Sequence, residues 1–288
     1  MPDIWGFATI VTKMALYMGL FGATGLVMVR VCYPALLAPL DAMLRTWALR
    51  FAGLALLAVV LRFMLRGAVL TGEISGMVDP EMLGLLWSTP VGDAVTYRLL
   101  GIGLIGVGLF LPAIGQWMSL LGGTLALWSF TQIGHVGEVE SLWVRPLLLA
   151  HLLGVAFWVG VLAPLRHCAR QPDHFERGAN LGHSFGQAAS VIVPLLVLAG
   201  LGMAWLILGD LTALVTTAYG LTLVAKVALV ALLLGLAAAN KLRFVPAMRA
   251  GDRRAAHHLV RSVEIETLIL LLIFAATATL TSVLTLPY

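Results

Sequence analysis

Long, uninterrupted apolar runs constrain this chain more than any other feature. Eight of them fall at approximately 6–31, 43–66, 95–113, 117–135, 146–166, 185–209, 217–240 and 262–284. A helix of about 20 apolar residues, rising 1.5 Å per residue, matches the roughly 30 Å hydrocarbon core of a bilayer. A membrane β-barrel would show alternating segments of about ten residues, and these runs do not alternate. With 60% hydrophobic and 11% charged residues over 288, and a mean hydropathy of +0.99, the chain has too little polar material to cover a soluble fold. The expected architecture is an all-α, polytopic membrane bundle of eight transmembrane helices. It forms one membrane domain over 1–288, with no internal repeat. The first run starts after Asp3 and is broken only by Lys13 and Arg30. It therefore reads as a retained span and not as a cleaved signal, which has a basic start and a short apolar core.

Lys and Arg set the orientation. One group of loops and span ends holds 12 of them and the opposite group 5, with Lys226 inside a span. The richer side is cytoplasmic by the positive-inside rule, so both termini are expected in the periplasm. The net charge of +4 is thereby accounted for by topology, and nucleic acid is not an expected partner. The outer loops carry Glu73, Asp79, Glu81, Asp93, Glu138, Glu140 and Asp210. An acidic face of this kind attracts cations. Segment 77–89 reads as a short amphipathic helix at the outer interface, with Pro80 in its first turn and Trp87 at headgroup level.

His135 ends the fourth run and His151 lies about five residues into the fifth, across a loop of roughly ten residues, so the two should face each other on a helical hairpin. An imidazole at membrane depth is costly without a partner and marks a functional site by default. Imidazole suits copper, zinc, iron and nickel, and Glu138 in the joining loop offers a carboxylate for a Cu(II)-like site. A pair of axial haem ligands is another reading, which His135 at a helix end fits less well. Met14 and Met18 share one helix face, and Met203 lies toward the outer end of the sixth run. Thioethers prefer Cu(I), although Met is also a common filler of apolar packing. Met14 and Met18 lie about 15 and 20 Å along the first span, and no span shows a carboxylate at that depth. Lys226 is the intramembrane charge. Arg62 and Arg66 are expected to pair with Asp210, Glu138 or a carboxylate of the 67–94 loop. The other five histidines read as solvated surface, and Cys32 and Cys168 as inert, without CxxC spacing. No nucleotide, zinc-protease or nucleophile-elbow motif is present, and no nucleophile–base pair stands out, so no catalytic residues and no enzyme are expected.

Several stretches resemble the copper resistance protein D family of bacterial inner-membrane proteins. They are Thr89-Pro90-Val-Gly92 through Arg98, Gly134-His135, His151 through Trp158 to Leu165, and Phe185 to Gly200. The likeness continues in Lys226-Val-Ala-Leu, Asn240 through Pro246, and Arg261-Ser-Val-Glu264-Ile-Glu266. The resemblance implies an eight-span inner-membrane protein that takes up or handles copper, working beside a separate periplasmic copper-binding protein. It favours His135 and His151 as the copper ligands. Cu(I) is the favoured cargo, with Cu(II) possible at the outer site. The alternatives are a haem-binding membrane redox protein and a non-transporting copper chaperone or assembly factor for a respiratory enzyme.

Overall fold

The computed structural model describes residues 4–134, 143–208 and 212–284. Among these residues there is helix and no strand. The principal helices are α1 (Ile4–Cys32), α2 (Asp41–Thr71), α3 (Pro80–Trp87), α4 (Pro90–Phe110) and α5 (Ile114–Trp128). They continue with α6 (Val144–Arg170), α7 (Phe175–Leu208), α8 (Ala218–Ala239) and α9 (Arg253–Leu280). Their starts follow the local chemistry. Asp79 accepts from Glu81 N and Met82 N ahead of Pro80, and Thr89 accepts from Val91 N ahead of Pro90. Both pairings are standard N-caps, with proline where its missing N–H does no harm. The expected interfacial helix is thus α3, and Phe63 of α2 meets the edge of Trp87 at 5.8 Å.

Among the described residues, seven stretches are long and apolar enough to cross a membrane: Ile4–Cys32, Pro34–Thr71, Pro90–Phe110, Val144–Arg170, Pro172–Met203, Ala218–Arg249 and Arg253–Leu280. The run expected at 117–135 folds differently. Its α-helix ends at Trp128 after 15 residues and passes into a 3-10 turn, Ser129–Thr131. At 1.5 Å per residue α5 is about 22 Å long, short of the roughly 30 Å core. The hydroxyls end it: Ser129 Oγ donates to the Ala126 carbonyl at 2.6 Å and Thr131 Oγ to Trp128 at 2.8 Å. Such back-bonding competes with the helical ladder.

α1 is the central helix. Its small residues let backbones approach closely, the usual packing device inside lipid. Gly19 meets Ala55 of α2, Gly25 meets Ala156 and Gly160 of α6, and Thr24 meets Gly123 of α5. α4 and α5 form an antiparallel pair closed by Gly101 on Gly122 and Gly108 on Gly115. The outward faces of the helices are apolar and exposed. Leu57 and Val60 of α2 and Val191, Leu195 and Leu198 of α7 face outward. That arrangement is stable only where lipid is the solvent. α1 and α9 run antiparallel, with Phe21 stacked on Phe274 at 5.2 Å. Lys13 Nζ donates to the Thr281 carbonyl at 2.9 Å. The two ends of the described chain therefore emerge at one end of the bundle, called the outer end below.

Candidate functional site

His151 sits on α6, seven residues from its start, and so about 10 Å below the outer end. Its Nδ1 lies 3.2 Å from the Leu196 carbonyl of α7. A β-carbon added at Gly200, one turn further out, would come within 3.7 Å of the imidazole Cε1. That is an ordinary van der Waals distance, so the imidazole lies directly against α7 at Gly200. The same face of α7 continues to Met203, a further turn outward. Lys226, eight residues into α8, stands at the same depth and within electrostatic reach of His151. One side of the bundle therefore brings together His151, Lys226 and the α7 face that carries Met203. His135 and Glu138, expected to complete this site, lie outside the described residues. Among the described residues, no group of three or more His, Cys, Asp or Glu is placed to hold a metal.

Met14 and Met18 lie on α1. Both are partly buried and pack against the central core from α1. The remaining histidines are occupied or exposed. His174 Nδ1 lies 2.7 Å from the guanidinium of Arg177, His167 meets the edge of Trp47, and His258 stacks on Phe244. His257 Nδ1 lies 3.3 Å from the Arg253 carbonyl of its own helix. Cys32 is exposed and Cys168 buried, and both are free thiols.

Of the carboxylates expected to pair with Arg62 and Arg66, those of the 67–94 loop do not, and Asp210 and Glu138 lie outside the described residues. Arg62 instead donates to the Thr9 carbonyl at 2.9 Å. The loop carboxylates serve local structure: Asp79 caps α3, and Glu73 accepts from Ser75 Oγ at 3.1 Å. Lys13, Arg62, Arg66 and Arg98 gather near the outer end, each within electrostatic reach of the others. Arg98 is buried, donates through Nε to Ser129 Oγ at 2.8 Å and lies over the Phe130 ring at 5.0 Å. Among the described residues, no carboxylate forms an ion pair with any of the four.

One group entered the sequence reading only within the family resemblance and was given no role there. Glu266 of α9 is 2% exposed. Trp158 Nε1 of α6 donates to its Oε2 at 3.2 Å, and the Asn240 amide donates to its Oε1. Asn240 opens a π-helical turn, Asn240–Phe244, at the end of α8. Its Oδ1 is buried without a partner, and so is Ser262 Oγ, one turn before Glu266 on α9. Glu264, two residues earlier, points elsewhere. It pairs with Arg166 at 2.7 Å and Arg170 at 2.5 Å at the inner surface.

Two family models cover most of the chain. The copper resistance protein D-like N-terminal domain matches residues 1–143, and copper resistance protein D matches residues 179–280. Over 193 residues the chain is 31% identical to copper resistance protein D of Pseudomonas syringae pv. tomato. This chain belongs to the copper resistance protein D family. The alignment with that relative takes in 62% of this chain and 59% of the relative's length. No solved structure matches. The family-matched segments hold Met14, Met18, Lys226, Asn240 and Glu266. His151 and Trp158 fall in the stretch between the two matched segments.

Proposed function

We propose that this protein carries copper across the bacterial inner membrane and receives it at an outer-side site in which His151 is a fixed ligand. The observation that carries this reading is the setting of His151. With Nδ1–H donating to the Leu196 carbonyl, Nε2 keeps its lone pair for a metal. A backbone carbonyl behind a ligating imidazole is the usual outer-shell arrangement, because it fixes both tautomer and ring orientation. His135 and Glu138 complete the site in this proposal, and Met203 adds a thioether on the neighbouring face of α7.

Cu(I) is the proposed cargo. An ion of single charge loses less hydration energy at this depth than a doubly charged one, and no described carboxylate stands beside His151 to offset the difference. Met14 and Met18 offer neutral, soft donors on the central helix α1. Cu(II) remains compatible with an outer site that includes Glu138. Eight crossings, with both termini in the periplasm, are the proposed topology. It is supported by the shared exit of the two chain ends, which requires an even number of crossings, and by the basic residues at the opposite end. α5 then crosses together with its 3-10 turn, in a locally thinned bilayer. The proposed partner is a separate periplasmic copper-binding protein, and no catalytic role is assigned.

The test is Cu(I) binding and flux with purified protein in liposomes. His151→Ala and His135→Ala should each lose most of the outer-site affinity, because a site of two or three ligands tolerates no loss. Unchanged affinity in the double variant would refute the site. Absence of flux in a copper-binding wild-type protein would make it a chaperone and refute carriage.

A further inference from the structure

We infer that Glu266 is a proton-binding residue through which transport is coupled to protons, with Asn240 as the group that responds to its protonation. This rests on the copper-carriage reading above and adds a coupling ion to it.

Desolvation comes first. Glu266 is held between α6, α8 and α9, and its visible partners are two neutral N–H donors. An ionised carboxylate out of reach of a cation is expensive in lipid, and such a group gives up its charge or acquires a counter-ion. The charged groups on every element packed around it are engaged elsewhere or distant. On α6, Arg166 and Arg170 hold Glu264. On the π-turn, Lys241 donates to Ser190 Oγ and Arg243 lies over Phe244. On α8, Lys226 lies fourteen residues before Asn240, about 20 Å away along the axis. On α1, Arg30 pairs with Asp41, and Lys13 is at the outer end. On α9 itself, Arg261 is exposed, and Arg249 is exposed on the helical turn that precedes α9. None of these is within ion-pair distance of Glu266.

The donor set then selects the ligand. Oε2 accepts from the Trp158 indole and Oε1 from the Asn240 amide, which leaves each oxygen one lone pair. With the unpartnered Asn240 Oδ1 and the unpartnered Ser262 Oγ the site offers four oxygens. Four oxygens fall short of the six or more that a hard divalent cation takes, and without nitrogen or sulfur they do not suit Cu(I). They suffice for one proton. In the ionised state the Asn240 amide donates its N–H to Oε1. When a proton from water bonds to Oε1, the carboxyl becomes a donor, and the amide turns to accept it at Oδ1. No electrons change hands. The exchange satisfies the atom that is otherwise orphaned, so each protonation state has its own arrangement of Asn240.

Position links the site to copper. His151 and Trp158 are seven residues apart, on one face of α6 and about 10 Å apart along its axis. Asn240 opens a π-turn, a feature that often marks functional sites in helices. A change at Glu266 therefore acts on the helix that holds the proposed copper ligand.

Infrared difference spectra of the full-length protein in liposomes, recorded between two pH values, test protonation directly. The expected result is a carboxylic-acid band that shifts in D2O, is lost in Glu266→Gln and moves in Trp158→Phe. No such band, or one unaltered in Glu266→Gln, overturns the proposal. Displacement of the band by sodium at fixed pH also overturns it, making this a sodium site. In the same liposomes, a pH dye should report proton movement on copper addition in the wild type and its loss in Glu266→Gln. Glu266→Gln keeps the hydrogen-bonding shape, so copper flux with an unchanged proton signal in that variant sinks the coupling and leaves carriage standing. If the wild type moves no copper, carriage fails, and the infrared band alone decides Glu266.

Discussion

Glu264 and Glu266 show how two like residues, two apart, come to different fates. Positions i and i+2 on a helix face different directions. Glu264 reaches outward to two arginines at the inner surface, and Glu266 turns inward to an indole and an amide. In the sequence both read as acids beside Arg261, and nothing local separates them. His151 is the opposite case, because a lone imidazole in an apolar run is conspicuous in the sequence itself. Met14 and Met18 stand between the two. Their shared helix face was legible, yet the fold packs both against the core. If they lie on the copper path, replacing both with Leu should slow Cu(I) flux while leaving outer-site binding intact. Leu keeps volume and apolarity, so stability should change by less than about 1.5 kcal/mol. Unchanged flux in liposomes would return both residues to packing alone.

At the scale of elements, glycine decides which helices touch. α1 uses Gly25 to lie against Ala156 and Gly160 of α6, backbone on backbone. A β-carbon at Gly25 would land on the Ala156 carbonyl and the Gly160 backbone, where no side chain can move aside. Gly25→Ala should therefore destabilise the bundle by about 1–3 kcal/mol, seen as a lower thermal midpoint in detergent. Gly53, with open space around its α-carbon, is the control and should tolerate Ala. The same logic explains the short α5. Hydropathy carried its expected end to 135, but the Ser129 and Thr131 hydroxyls close on the preceding carbonyls and end the α-helix at Trp128.

At the scale of the molecule, the chain is a bundle wrapped around α1, with both described ends at one face and the arginine-rich loops at the other. That arrangement makes a topological prediction. In intact cells an impermeant thiol reagent should miss Cys32, which is exposed at the inner end, and should modify a cysteine introduced by Ser75→Cys in an outer turn. The reverse pattern would invert the orientation. Cys168 is buried and reports on neither side.

Membrane class, helical fold, approximate spans and charge asymmetry followed from the sequence alone, because each depends on one-dimensional quantities: run length against bilayer thickness, and the count of Lys and Arg per loop. His151 was legible for the same reason, as a polar group whose burial cost is fixed by depth. The tertiary structure alone decided the rest. It set the Leu196 carbonyl behind His151, brought Lys226 to the same depth, and gathered four basic side chains at the outer end. It also joined Trp158, Asn240 and Glu266 from three distant segments. Those placements depend on helix rotation and on which small residues meet, and a chain written in one dimension does not carry either.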